Sequence, residues 1–191
     1  TKQGMIGGRA YSHGIVAYAL SESYALTQLP IVKPAMEKAI RRIVEGQQKE
    51  TGGYNYRYAS YAAQQRWDLS VAVWQIQAMK AAAYAGAEVE GLQEALEKSV
   101  EFLKDVTYKG GKFGYSSPGS GSGAMQGAGT LALQLLGEGE SREARGGVEN
   151  ISTNYKVQWN DEKAYALHHH PSYDWYYQTQ AVFHGGKRYF R

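Results

Sequence analysis

At 191 residues the chain is long enough for one sizeable core. Its 21 Lys and Arg against 18 Asp and Glu leave a net charge of +3, scattered among acids on the same segments, which argues against a nucleic-acid-binding stripe. With no cysteine, disulfides and Cys-ligated metals are excluded, and no run approaches the roughly 20 apolar residues of a membrane span.

The first predicted helix covers 9–28 and is apolar or small around most of its circumference. The second, 34–49, opens on Pro34 at a favourable first-turn position. It sets Met36, Ala39, Ile40, Ile43 and Val44 on one stripe, with its charges elsewhere. A glycine- and tyrosine-rich corner, QKETGGYNYRY, follows at 48–58. The segment 68–87 is again apolar almost all round, with Asp68 placed as an N-cap and Gly86 as the terminal glycine. An amphipathic helix at 91–106 precedes a second glycine–aromatic corner at Gly110-Gly111-Lys112-Phe113. The segment 121–137 is apolar all round and ends in Gly137, 141–158 is mixed, and 173–186 is apolar and aromatic and ends in Gly185.

Helices apolar on every side thus alternate with helices that have one wet face. A simple bundle makes all its members similarly amphipathic, whereas alternation points to inner helices enclosed by outer ones. The expected fold is all-α, a partial α/α toroid (a double-layer helical barrel) of about three and a half helix pairs. A layered domain with one central helix is the alternative, and four inner-type segments are too many for one centre. The whole chain, 1–191, reads as a single toroid domain or a fragment of a larger one. The recurrence of Gly52-Gly53-Tyr54 as Gly110-Gly111-Lys112-Phe113 supports an internal repeat.

The spacing Gln48-x-x-x-Gly52-x-Tyr54 resembles the Gln-x-x-x-Gly-x-Trp repeat of the terpenoid cyclase and protein prenyltransferase superfamily, with Tyr in place of Trp. YSHGIVAYALSESYALT at 11–27, DLSVAVWQIQAMKAAAYAGA, GGKFGY and YDWYYQTQAVFHGG are likewise similar to squalene-cyclase-like repeat proteins of bacteria, over roughly 9–190. The resemblance implies an α/α toroid braced by repeat corners, here built from Gln48, Gly52, Gly53, Tyr54, Gly110, Gly111 and Phe113. It also implies that a chain with so few helix pairs completes its ring with further repeats or meets a protein partner.

The family's chemistry maps poorly. Its cyclases protonate substrate with an Asp-x-Asp-Asp cluster, and the corresponding Gln65-Arg66-Trp67-Asp68-Leu69-Ser70 keeps only Asp68. The zinc site of the prenyltransferases and the thioester of the complement-like members both need a cysteine. His168-His169-His170 are consecutive and do not converge easily on one ion, so neither a metal nor a cofactor is expected. Tyr11, Tyr18, Trp74, Tyr176 and Tyr177, with His13, lie on inner-type segments, where they either line a cavity for an isoprenoid or a sugar or fill space between layers. His13 and His184 also suit packing at helix ends. Three functions follow in order: a non-catalytic scaffold for a protein partner or an aromatic-recognised ligand; an isoprenoid-processing enzyme with Asp68 as acid; and a carbohydrate-active toroid using Tyr and His. The compartment stays open, since the N-terminus lacks a signal-peptide pattern.

Overall fold

The computed structural model describes residues 5–58, 66–155 and 171–189. These form two compact units, 1–102 and 103–191. The architecture is an all-α, multi-helix repeat of packed helix pairs, with one two-residue antiparallel ladder among the described residues.

The first unit contains α1 (Ala10–Thr27), α2 (Lys33–Gly46), α3 (Leu69–Tyr84) and α4 (Leu92–Glu101). Pro34 sits in the first turn of α2, and Met36, Ala39, Ile40 and Ile43 are its buried stripe. The α4 stripe is Leu92, Ala95, Leu96 and Ser99. Both helices therefore follow the helical period of their apolar residues. Helix α1 packs on α3 and α2, and α3 on α2 and α4. Lys33 Nζ at the start of α2 donates to Glu88 Oε1 just beyond α3, at 3.0 Å. That contact sets the C-terminal end of α3 beside the start of α2, where the short connection from α1 also arrives. Helices α1 and α3 are therefore parallel, and α2 returns between their ends.

Helix α3 is buried around almost its whole circumference, as its composition requires. Helix α1 departs from the expectation. Ala10, His13, Gly14, Ala17 and Ser21 are buried, but Ser12, Ile15, Val16, Ala19, Glu22, Ser23 and Leu26 form an exposed stripe. A helix apolar all round is able to be covered on every side, but its own sequence does not supply the neighbours.

Helix α4 runs on into a π-helical turn, Phe102–Thr107, where the sequence predicts continuous α-helix to 106. In the second unit β1 (Tyr108–Lys109) and β2 (Lys112–Phe113) form a hairpin, where the sequence predicts only a glycine–aromatic corner. Gly110 (φ 60°) and Gly111 (φ 82°) are its two turn residues, both in the left-handed region that a tight hairpin turn demands. Helix α5 (Gly123–Leu135) is buried continuously from Gly123 to Leu133, α6 (Arg142–Asn154) is amphipathic, and α7 (Pro171–His184) follows. Helix α5 packs on both α6 and α7. Gly127 meets Tyr177 and Gln178, and Gln134 Nε2 donates to Ala181 O at 2.9 Å, so α5 and α7 also run parallel. The left-handed residue after α7 is Gly186 (φ 90°) rather than Gly185.

Candidate functional site

The two glycine–aromatic corners are organised by buried glutamines. Helix α2 stops at Gly46 and the backbone of Gln47 is extended, which turns its side chain inward. Gln47 Nε2 reaches Gly52 O (3.0 Å), Ala95 O (2.9 Å) and Ser99 Oγ (3.2 Å), tying the end of α2 to its own corner and to α4. Gln48, the residue that the family spacing singles out, lies nearer solvent. Its Nε2 donates to Arg66 O, and its Oε1 accepts from Thr51 Oγ1. Gly52 (φ 72°) packs on the carbonyl of Lys98, Gly53 on Phe102 and Trp67, and Tyr54 is fully buried.

In the second unit Phe113 is fully buried, its ring set against Gly129 of α5 and Gly147 of α6. Gln126 reads both backbone groups of Phe113. Its Oε1 accepts from Phe113 N (2.9 Å), and its Nε2 donates to Phe113 O (3.1 Å) and Gly121 O (3.2 Å). In the first unit Gln75 Nε2 donates to Ala10 O at 3.0 Å, and its Oε1 accepts from the Tyr58 hydroxyl at 2.9 Å. Burial raises the Tyr58 phenol pKa, against the nearby Arg42 guanidinium, which sits 5.1 Å from the ring centroid and lowers it. The sequence signal for these glutamines is a polar amide inside an apolar helix, visible in WQIQA (74–78) and YQTQA (177–181). A buried amide must be matched on both its donors and its acceptor, so it fixes where helices meet.

The candidate aromatic residues divide. Tyr11 stacks on Tyr56 (6.1 Å between centroids, 10° between planes) and meets Trp74 edge-on at 6.4 Å, and Tyr18 also contacts Trp74 at 6.4 Å. Together they make one partly exposed aromatic face of α1 and α3, able to stack on a flat or cationic group. In the second unit Tyr177 is fully buried against Tyr173 and Tyr176, and Tyr176 is exposed.

His13 belongs to neither group. It is buried, with Nδ1 accepting from Ile6 N (2.9 Å) and Nε2 donating to Ala39 O (2.9 Å), and its ring meets Tyr58 edge-on. Those two bonds specify the neutral tautomer. Burial lowers its pKa, and Arg42 adds to this, against the Ala39 hydrogen bond that raises it. The unfolded chain therefore takes up the proton first. His13 contributes stability that is fully present above about pH 6.5 and lost as pH falls through the lowered folded value. The urea midpoint is expected to fall between pH 7 and pH 5, and to fall less in His13→Gln; parallel pH profiles for the two proteins would remove His13 as the source.

Asp68 caps α3. Its Oδ1 accepts from Ser70 N (3.0 Å), Val71 N (3.3 Å) and Ser70 Oγ (2.6 Å), while Oδ2 is buried without a hydrogen-bond partner. Among the described residues no group of three His, Cys, Asp or Glu is placed to hold a metal ion, and no helix is long and apolar enough to cross a membrane. His168, His169 and His170 lie outside the described residues. No known protein family, curated protein or solved structure matches the chain.

Proposed function

We propose that the chain is a non-catalytic repeat scaffold of the α/α-toroid type, similar to the terpenoid cyclase superfamily. Its open inner-helix face takes a protein partner that presents a helix of the same kind, such as a second copy of the chain. The observation that carries this is the exposed stripe on α1, in which Ile15 and Val16 are each 37% and Leu26 82% exposed. Helix α3, of the same composition, is covered on nearly every side, so a helix of this type suits neighbours on both flanks. Parallel inner helices joined by an antiparallel outer helix, seen within each unit, are the step from which a double-layered ring is made.

Sedimentation of the intact chain tests the reading. Concentration-dependent association is expected, and Val16→Glu should abolish it without lowering the melting temperature. A chain that stays monomeric at its highest soluble concentration, and whose melting temperature rises with geranylgeranyl diphosphate or an oligosaccharide, would replace the scaffold with a small-ligand protein.

The second reading, an isoprenoid-processing enzyme with Asp68 as acid, is favoured by one observation, the unpartnered buried Oδ2. A buried acceptor oxygen without a donor is free to meet a polar group of a bound substrate. Asparagine caps helices as well as aspartate does, so Asp68→Asn should change stability by only a few tenths of a kcal/mol, whereas Asp68→Ala should cost about 1–2 kcal/mol. Turnover of a polyprenyl substrate by the intact chain, lost in the stable Asp68→Asn variant, would establish the enzyme. Turnover unaffected by that substitution would exclude Asp68 as the acid.

A further inference from the structure

We propose that the end of the first unit at which α1 and α3 finish lies on a lipid bilayer, with the Leu29-Pro30-Ile31 connection inserted into a zwitterionic surface. Among the described residues of this unit, four large apolar side chains are more than half exposed: Leu26 (82%), Leu29 (51%), Ile31 (84%) and Tyr84 (88%). All four belong to this end. Leu26 is in the last turn of α1, Leu29 and Ile31 are in its connection to α2, and Tyr84 closes α3. The bond from Lys33 to Glu88 holds the end of α3 beside that connection. The second unit, taken by itself, repeats the pattern. Its most exposed large apolar side chain among the described residues, Phe183 (60%), is in the last turn of α7.

The form of this tip identifies its occupant. Leu26, Ile31 and Tyr84 stand so far into solvent that they project from the surface, rather than line a groove that would seat a helix or a strand. No residue from Ser23 to Val32 carries a charge. The polar backbone of the tip is largely closed on itself. Gln28 is left-handed (φ 53°), an uncommon conformation for a residue with a side chain, and its own carboxamide holds it there. Its Nε2 donates to Tyr24 O (3.1 Å) and Ala25 O (3.4 Å), and its backbone N–H donates to Tyr24 O (2.8 Å). Thr27 Oγ1 donates to Ser23 O (2.6 Å) and accepts from Leu29 N (3.4 Å). Pro30 has no N–H, and Val32 N donates to Leu29 O at 2.9 Å. In water these groups would find partners in any case. At the edge of hydrocarbon, internal partners are what allow backbone to descend.

Charge decides the kind of lipid. Lys33, the first cation beyond the tip, lies 3.0 Å from Glu88 and 3.7 Å from Glu37, two carboxylates against one ammonium. Glu22, one turn before Leu26, is a further exposed acid. The described charges around the tip are thus mainly negative, which favours a zwitterionic over an anionic surface and leaves apolar burial as the driving force. The Tyr84 ring, apolar with a polar hydroxyl, suits the headgroup level. Leu29 and Ile31 lie off the Ile15–Val16 stripe, and Leu26 alone is common to both surfaces. The lipid contact and the scaffold reading can therefore fail separately.

The test is co-sedimentation of the intact chain with phosphatidylcholine vesicles, and with vesicles in which part of the lipid is phosphatidylserine. Saturable binding to phosphatidylcholine is expected, no stronger with phosphatidylserine present and little weakened by salt. Leu29→Ser and Ile31→Ser should each weaken it about tenfold. Both side chains already stand in water, so the melting temperature should not change, and Val16→Glu should leave vesicle binding intact. Four results would overturn the proposal. They are no binding to phosphatidylcholine; binding that needs phosphatidylserine and is lost in salt, which is electrostatic adhesion alone; and phosphatidylcholine binding that survives the double substitution Leu29→Ser with Ile31→Ser, which places the contact elsewhere. The fourth is an Ile31→Ser chain that loses self-association and keeps its vesicle binding, which would give the tip to a second copy.

Discussion

Replacing Gln47 by alanine should destabilise the first unit by about 2–4 kcal/mol, while the same change at Gln48 should cost under about 1 kcal/mol. The difference follows from what each amide leaves behind. Gln47 is 9% exposed, and its Nε2 serves Gly52 O, Ala95 O and Ser99 Oγ. Ser99 Oγ also donates to Ala95 O, so one acceptor keeps a partner after truncation, but Gly52 O loses its side-chain donor and α2 loses its tie to α4. Gln48 sits where water can replace its bond to Arg66 O. Gln47→Glu should be at least as damaging as alanine, because it turns a carboxylate toward buried carbonyls. Urea unfolding of the three variants, followed by far-UV circular dichroism, measures this. Equal costs at 47 and 48 would return the bracing role to Gln48.

That one-residue displacement shows where the sequence stops being informative. Gln47 and Gln48 are adjacent glutamines, and the family spacing selects the second. Which of them faces inward depends on α2 ending at Gly46 and the next residue being extended, a detail of helix termination that composition does not carry. The stripe of α2, the Pro34 start and the Asp68 cap were legible because each follows from a local rule about period or terminal hydrogen bonds. The exposed stripe of α1 was not legible, since its residues match those of a covered helix and only the neighbours differ. The hairpin at Tyr108–Phe113 was hidden by its length, because two-residue strands show no alternation.

At the candidate site the helical period decides the outcome. Tyr11 and Tyr18 are seven residues apart, two turns of one face, and both reach Trp74. His13 is two residues from Tyr11, turned well round the helix, and it meets Ala39 of α2 instead. Gln75 and Gln126 are hidden for the opposite reason. A lone amide on an apolar helix reads as its wet side until the carbonyls it serves are known.

The close approach of α5 and α7 carries the second large effect: Gly127→Val should destabilise the second unit by about 3–5 kcal/mol. A Cβ at residue 127 would stand 2.7 Å from the backbone nitrogen of Gln178 and 2.9 Å from the carbonyl carbon of Tyr177. Neither atom can rotate away, so α7 itself would have to move, and Tyr177, fully buried beside this contact, would move with it. Gly127→Ala makes the same collision, but the helix preference of alanine returns about 1 kcal/mol, so it should be the milder change. Gly14 in the first unit faces the equivalent pair, Trp74 and Gln75, but there the nearest atoms belong to the Gln75 carboxamide, which can swing aside at the expense of its bonds to Ala10 and Tyr58. Gly139→Ala is the control, since its Cβ would meet only Gln134 at 3.6 Å and its cost should stay within about 0.5 kcal/mol. Chemical unfolding followed by near-ultraviolet circular dichroism of the tyrosines reads the order Val, then Ala at 127, then Ala at 139. If Gly127→Val proves no worse than Gly139→Ala, α5 and α7 do not meet at residue 127.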